Sequence, residues 1–349
     1  MNEKKKNYLG VAITVLIVSI LLVVITVMGV SSLLSMLAKT PAPETSVQES
    51  ESTAPPAESE EPETTPPVES EAPIETEPPV AYASVSIPSV QSGNGSLVLV
   101  NSEHEFTFPA QDEHILGGAA RKTLYGNKTT SYGLSGSGLE LNSAAITALN
   151  EMMDAFAKES GNYNVLVRSA YRSYDAQMDL YAAYVESYGI EGAERYVAQG
   201  GCSDHNTGLG FDLSTYDATT QKAGRLSDDD VYSWIYDHCY AYGIVRRFPA
   251  DKASITKIEG EADHFRYVGP AHAYYMTKYN LCLEEYVELL KRYTPEGEHL
   301  IFSDDAGNKW EIYTVPVSAE DRTEIPVPEN SQYSISGNND GGFVVTLSI

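Results

Sequence analysis

Helices and strands of mixed spacing, with no regular βαβ repeat, predict an α+β fold for the body of this 349-residue chain. Three observations carry the expectation. Apolar stripes at helical spacing stop at glycines, short β-like runs lie between them at irregular intervals, and the helical period disappears after Thr294-Pro295-Glu296-Gly297. The body is therefore read as one domain over 81–293, followed by a small β-rich extension over 294–349.

Within the body, 142–158 places Ala145, Ile146, Leu149, Met152, Met153 and Phe156 on one stripe and stops at Gly161. Ser173 is a suitable N-cap for a helix over 174–188, which ends before Gly189. A helix over 228–242 begins on three aspartates, favourable at an N-terminus, and stops at Gly243. A last helix falls within 270–293. Strands are expected over 97–100, 165–167, 209–213, 244–248 and 265–268, and in the extension over 300–303, 309–315 and 343–349. An extension of about 50 residues is small for an independent core. It is either packed on the body or a minor wall-binding module.

The segment before the body divides by charge. The formal net charge is -26, which excludes general nucleic-acid affinity because no basic excess can replace phosphate counterions. Residues 1–39 hold Lys4, Lys5, Lys6 and Lys39 against Glu3, whereas 40–80 hold eleven Glu, no Lys or Arg, and ten of the 18 prolines. The uncharged run over 8–38 is long enough for a bilayer core of about 30 Å and longer than a usual signal-peptide core. The lysines before it keep the N-terminus cytoplasmic. Residues 1–39 are thus expected to be a cytoplasmic tail and single-pass transmembrane anchor in the cell membrane. Residues 40–80 are expected to be a disordered Pro/Glu/Ser/Thr-rich linker that holds an extracellular body. Cys202, Cys239 and Cys282 allow at most one disulfide and show no paired spacing for a thiolate metal site.

Two segments concentrate the chemistry. Gly201-Cys202-Ser203-Asp204-His205-Asn206-Thr207-Gly208-Leu209-Gly210-Phe211-Asp212 sets a His in a polar loop, then a glycine turn, then a strand ending on Asp. Glu261-Ala262-Asp263-His264-Phe265-Arg266-Tyr267-Val268-Gly269 adds a second His and another carboxylate. Two His and one carboxylate form a sound zinc ligand set that leaves a fourth position for water, with a nearby free carboxylate as base. Each segment alone is weak, since a lone His is more often structural. A hydrolase using Ser203 or Cys202 with His205 would leave the second segment unexplained. Asp204 and Asp263 read most simply as solvated loop acids. Asp228-Asp229-Asp230 reads as a helix start and not a calcium loop, and His238 as packed or at the surface.

Together the segments resemble the VanY-like D-alanyl-D-alanine carboxypeptidases, zinc peptidases of the LAS type. The family's S-x-H-x-x-G-x-A-x-D is matched by Ser203, His205, Gly208 and Asp212, with Gly210 in place of alanine. Its later E-x-W-H-x-R-Y-V-G is matched by Glu261, His264, Arg266, Tyr267, Val268 and Gly269. Ser169-Ala170-Tyr171-Arg172-Ser173-Tyr174-Asp175-Ala176-Gln177 is similar to S-x-Y-R-S-x-x-x-Q, and the likeness runs in order over roughly 94–293.

The resemblance implies a small antiparallel sheet with flanking helices. It implies Zn²⁺ on His205, Asp212 and His264, and Glu261 as general base. Arg172 would stabilise the oxyanion or clamp the terminal carboxylate, and Gln177, Ser203 and Ser169 would serve substrate binding. The implied enzyme is a monomer that removes the terminal D-alanine of peptidoglycan stem peptides. Its rivals are an L,D-carboxypeptidase, an endopeptidase or a dipeptidase on the same scaffold. A non-catalytic wall-binding module is a further rival, but it would have no need of Glu261.

Two departures stand out: Asp263 occupies the family's Trp position and Ala262 its usual Pro. Asp263 is expected to alter the substrate pocket. Residues three apart on a regular strand face opposite sides, so Glu261 and His264 converge only if the chain bends between them.

Overall fold

The computed structural model describes residues 81–109 and 120–349. The anchor expected over 1–39 and the linker over 40–80 lie outside the described residues. At the centre, Val165–Ser169, Gly210–Asp217, His264–Tyr267 and Ile244–Arg246 lie side by side in that order, each antiparallel to its neighbour. The two-residue strand Gly133–Leu134 joins the outer side of Val165–Ser169 in parallel, and Lys222–Gly224 folds back on the end of Gly210–Asp217. Helices and sheet together form the α+β arrangement, antiparallel but for that one short edge.

Strand alternation decides what each face of the sheet carries. Phe211 and Leu213 pack with Val165, Val167 and Phe265 against the helix Ser143–Ser160, whose expected stripe from Ala145 to Phe156 is buried. Asp212 therefore faces the other way. Asn142 caps that helix by accepting from the Ala144 N–H, and Gly161 closes it at φ 67. Ser173 caps Tyr174–Glu194, in which Gly189 at φ 73 interrupts the helical path before one further turn.

The helix expected over 228–242 is instead a broken series. The 3₁₀ turns Leu226–Asp228 and Asp230–Tyr232 precede the short helix Ser233–His238, and Cys239–Tyr242 follows as another 3₁₀ turn. Val231, Tyr232, Trp234, Ile235 and Tyr236 lose rotamer freedom in a helix. Their packing decides the path, with the rings of Tyr232 and Trp234 each 5.9 Å from that of Phe156. The expected last helix is two, Pro270–Lys278 and Leu283–Leu290, with Asn280 at φ 51 between them.

The extension forms a four-stranded antiparallel sheet in the order Leu300–Ser303, Lys309–Pro316, Gly342–Ser348, Gln332–Gly337. Tyr82–Pro88 also belongs with it, pairing antiparallel with Arg322–Pro328. Leu300, Ile312 and Val344 of the extension share one core with Leu99, Val268, Leu283, Tyr286 and Leu290. The extension is thus packed on the body. All three cysteines are free thiols.

One expected strand, 97–100, is buried without joining a ladder, and the reason is a buried cluster of charges. Asp204 is not a solvated loop acid. Its side chain is wholly enclosed between Arg247, whose Nε lies 2.8 Å from Oδ2, and Arg266, which contacts Oδ1. Arg247 also grips Glu284 with both terminal nitrogens, at 2.9 and 2.7 Å. Arg266 donates to the carbonyls of Ser96 and Val98 at 3.0 and 2.9 Å, and Arg247 to that of Val100 at 3.4 Å. From the other side Ser336 Oγ accepts from Leu97 N–H at 2.9 Å, and Asn339 Nδ2 donates to Leu99 O at 2.9 Å. Guanidinium and amide groups thus satisfy a main chain that would otherwise need a neighbouring strand.

Burial opposes ionisation of Asp204, but Arg247, Arg266 and His264 outweigh it and hold the carboxyl below its usual range. Asp204→Asn leaves Arg266 without a counter-charge and should cost about 3–5 kcal/mol of stability. Urea unfolding of residues 76–349 would register this as a lower midpoint at unchanged slope. A depressed carboxyl stabilises above its unfolded value, so the gap between wild type and variant should narrow as pH falls below about 4.

Candidate active site

Short-range geometry builds the first half of the site. Ser203 Oγ accepts from the His205 N–H at 3.3 Å and starts the 3₁₀ turn Asp204–Thr207, which Gly208 ends at φ 72. The chain then enters the central strand at Gly210. A Cβ there would lie 2.8 Å from Asp204 Cβ and 3.0 Å from its carbonyl carbon, so the family's alanine does not fit this chain. The second half comes from register: Asp212 is directly paired with His264 on one side and Ser169 on the other.

His205, Asp212 and His264 are buried, and one ligand atom from each lies within 4.8 Å of the others. Asp212 Oδ1 is 2.8 Å from His264 Nδ1 and 3.4 Å from His205 Nε2. His205 Nδ1 meets the Ala170 carbonyl at 2.6 Å, which fixes the proton there and turns the Nε2 lone pair towards the cluster. Phe248 stacks on the His264 ring at 5.1 Å. No described residue offers His264 Nε2 a hydrogen bond, although Asp204 Oδ2 lies 3.9 Å away.

The electrostatics follow from burial and from these contacts. Burial pushes the His205 imidazole down. Burial also favours neutral His264, but the hydrogen bond and charge of Asp212 raise it. Asp212 itself is held well below the usual carboxylate range, because the two imidazoles outweigh its desolvation. The donor set is therefore two imidazole nitrogens and an ionised carboxylate oxygen, all turned inward. That chemistry fits a tetrahedral divalent cation.

Glu261 reaches the same cleft because the chain bends where convergence requires it. Ala262 and Asp263 form a turn, closed by the His264 N–H donating to Glu261 O at 3.3 Å, so the strand begins only at His264. Desolvation raises the Glu261 carboxyl above its usual range, and Asp212 adds to the rise against the pull of His264 and Arg172. Asp263 does not line the cleft. Its carboxylate accepts from Tyr236 OH at 2.5 Å, which draws it towards the helix Ser233–His238 and away from the expected place in the pocket.

Arg172 borders the cluster and is tightly held. It donates to Ser169 Oγ from NH2 at 3.0 Å and to Gln177 Oε1 from NH1 at 2.5 Å, and its NH2 lies 3.7 Å from Asp212 Oδ2. Gln177 spends its amide nitrogen on Ala198 O at 2.7 Å. Gln177 and Ser169 thus brace Arg172, and Ser203 braces the His205 turn. All of these, with Glu261 and the three clustered residues, line one cleft of about 940 Å³. Arg168, which sequence reasoning passed over, lines it too, 3.5 Å from Asp212 Oδ2. No periodic signal marked it, because a β-bulge between Val167 and Ser169 sets its direction.

Comparison with known proteins places this geometry in context. Residues 138–270 match the family described as VanY, D-alanyl-D-alanine carboxypeptidase. A D-alanyl-D-alanine carboxypeptidase of Enterococcus faecium is 32% identical over 262 residues, covering 75% of this chain and 78% of the relative. A bifunctional D-Ala-D-Ala dipeptidase and carboxypeptidase of Enterococcus gallinarum, VanXYC, is 32% identical over 122 residues, 34% of this chain and 64% of the relative. Among solved structures, the vancomycin-resistance D,D-dipeptidase VanXYg in complex with a D-Ala-D-Ala phosphinate analogue superposes with a TM-score of 0.64 at 27% identity. That match covers 77% of this chain and 100% of the other. A likeness running through most of both the Enterococcus faecium enzyme and this chain is more than a shared motif: the chain belongs to the VanY family of D-alanyl-D-alanine carboxypeptidases.

Proposed function

We propose that the protein is a zinc-dependent carboxypeptidase that releases the terminal D-alanine of peptidoglycan stem peptides. The observation that carries the reading is one cleft wall holding three inward-turned ligand atoms within 4.8 Å of one another beside a Glu261 carboxyl raised by burial. His205 Nε2, Asp212 Oδ1 and His264 Nδ1 would hold the ion. Zn²⁺ bound there supplies Lewis acidity, polarising a carbonyl and easing deprotonation of water near neutral pH.

The remaining work belongs to the chain. Glu261 accepts the proton of the attacking water as its oxygen bonds to the penultimate D-alanine carbonyl carbon. It returns that proton to the nitrogen as the C–N bond breaks, so that D-alanine leaves as a neutral amine. A raised carboxyl suits this exchange because it binds the proton more firmly than a solvated glutamate does. Arg172, braced by Ser169 and Gln177, presents a fixed cation to the developing oxyanion without reorganising.

A cleft of about 940 Å³ has room for a peptide longer than the free D-Ala-D-Ala dipeptide. The apolar run over 8–38 supports a membrane anchor, and the Pro/Glu-rich 40–80 a stalk that carries a monomeric body to the wall outside the cell. Tethering then raises the local concentration of enzyme at an insoluble substrate.

Purified protein should contain about one zinc per chain by elemental analysis, and chelation should abolish D-alanine release until zinc is restored. Mass analysis of products from a pentapeptide and from free D-Ala-D-Ala separates carboxypeptidase, endopeptidase and dipeptidase activities; loss of one terminal residue from the pentapeptide is expected. Glu261→Gln should keep its zinc and lose about 10²- to 10⁴-fold in kcat; near-normal turnover by that variant would remove Glu261 from the base role. Deleting residues 1–39 should move activity from the membrane pellet to the supernatant with kcat unchanged.

A further inference from the structure

A peptidase of this kind faces two anionic demands at once: the oxyanion that develops on the scissile carbonyl, and the permanent carboxylate of the residue to be released. The cleft holds two guanidiniums beside the cluster, and they differ in how they are held. Arg172 has a side chain 20% exposed and is pinned by Ser169 and Gln177. Arg168 has a side chain 61% exposed, and Asp212 Oδ2 at 3.5 Å is the carboxylate it faces.

The backbone explains why both are there. In the ladder with the central strand, Val167 is paired with Leu213 and Ser169 with Asp212, so Arg168 is an extra residue opposite a single step of the partner. Regular alternation would leave only one of Arg168 and Ser169 on the Asp212 side. The bulge allows Ser169 to stay there and brace Arg172, while Arg168 also projects into the cleft. Bulges beside active sites commonly redirect a side chain in this way.

Building on the carboxypeptidase reading, we propose that Arg168 binds the C-terminal carboxylate of the substrate, leaving Arg172 to the oxyanion. A fork of N–H donors matches a carboxylate in plane. An exposed side chain can swing from Asp212 onto an incoming carboxylate, whereas a braced one cannot. The division of labour also gives the cleft a physical preference for a chain end over an internal peptide bond, which has no carboxylate at that position. Arg168 is then a specificity-determining residue.

The test compares the full-length enzyme in detergent with its Arg168→Ala and Arg168→Lys variants on a stem pentapeptide ending in a free carboxylate and on the same peptide ending in a carboxamide. Wild type should prefer the free acid. Arg168→Ala should lose about 10- to 100-fold in kcat/KM on the acid, mostly through KM, and leave the amide unchanged, so that the preference collapses. Arg168→Lys should recover part of it. Zinc content and thermal midpoint should be unaltered, as the side chain is exposed. Equal losses on acid and amide, or no loss on either, would overturn the assignment while leaving the carboxypeptidase reading intact. A wild-type enzyme that releases neither D-alanine from the acid nor D-alaninamide from the amide would overturn that reading and this assignment together.

Discussion

The buried ion cluster around Asp204 is the interaction on which the rest of the structure leans. It gathers the turn that carries His205, the strand that carries His264 and Arg266, the end of the neighbouring strand with Arg247, and the helix bearing Glu284. Burying charges costs several kcal/mol each, and their attraction repays that only when geometry and hydrogen bonds are complete. Here the guanidiniums have spare donors, and they spend them on the carbonyls of Ser96, Val98 and Val100. The cluster therefore organises main chain that no sheet reaches. It also lies against the His205, Asp212 and His264 cluster, with Asp204 Oδ2 3.9 Å from Nε2 of His264.

Above this floor, strand register does most of the positioning. Pairing of Asp212 with His264 and with Ser169 brings two of the three clustered side chains and the brace of Arg172 to one face without help from any loop. The irregular steps then lie where the cleft receives a side chain that a regular strand would turn away. One is the turn at Ala262 and Asp263, which brings Glu261 round to the side of His264. The other is the bulge at Arg168. The bulge is flanked by paired residues on both sides, Val167 and Ser169, and the turn runs directly into the ladder at His264.

Much of this was legible in the sequence where the determinants are local. The stripe from Ala145 to Phe156, the cap at Ser173, and the glycine stops at Gly161 and Gly189 follow from short-range rules and stand as read. The clustering of His205, Asp212 and His264 rested on spacing and on family resemblance, and their meeting required a register that no local rule sets. What could not be read depends on distant partners. Asp204 looked solvated because nothing nearby in sequence reveals Arg247 and Arg266 on either side of it. Asp263 looked pocket-facing because its partner, Tyr236, lies on another element. The run 97–100 has strand composition but spends most of its hydrogen bonds on side chains, with Leu99 N–H going to Asn338 O. The strand Arg322–Pro328 was not among those expected; it has a single partner in its two-stranded sheet and so tolerates Pro326 and Pro328.

The extension acquires its meaning from the same segment. Asn339 donates to Leu99 O at 2.9 Å and to Glu105 O at 3.1 Å, and Leu99 N–H donates to Asn338 O at 3.0 Å. Val100, Asn101 and Ser102, enclosed by those contacts, form part of the cleft wall. From below, Glu284 holds both Arg247 and, at 3.2 Å, the Asn101 side chain. One face of the cleft is therefore suspended between the buried charges of the body and an asparagine turn of the β extension. A module with its own separate core could be lost without disturbing that wall. This one shares a core with the helices Pro270–Lys278 and Leu283–Leu290 and supplies hydrogen bonds to the chain on either side of the wall, so its strands belong to the architecture of the cleft.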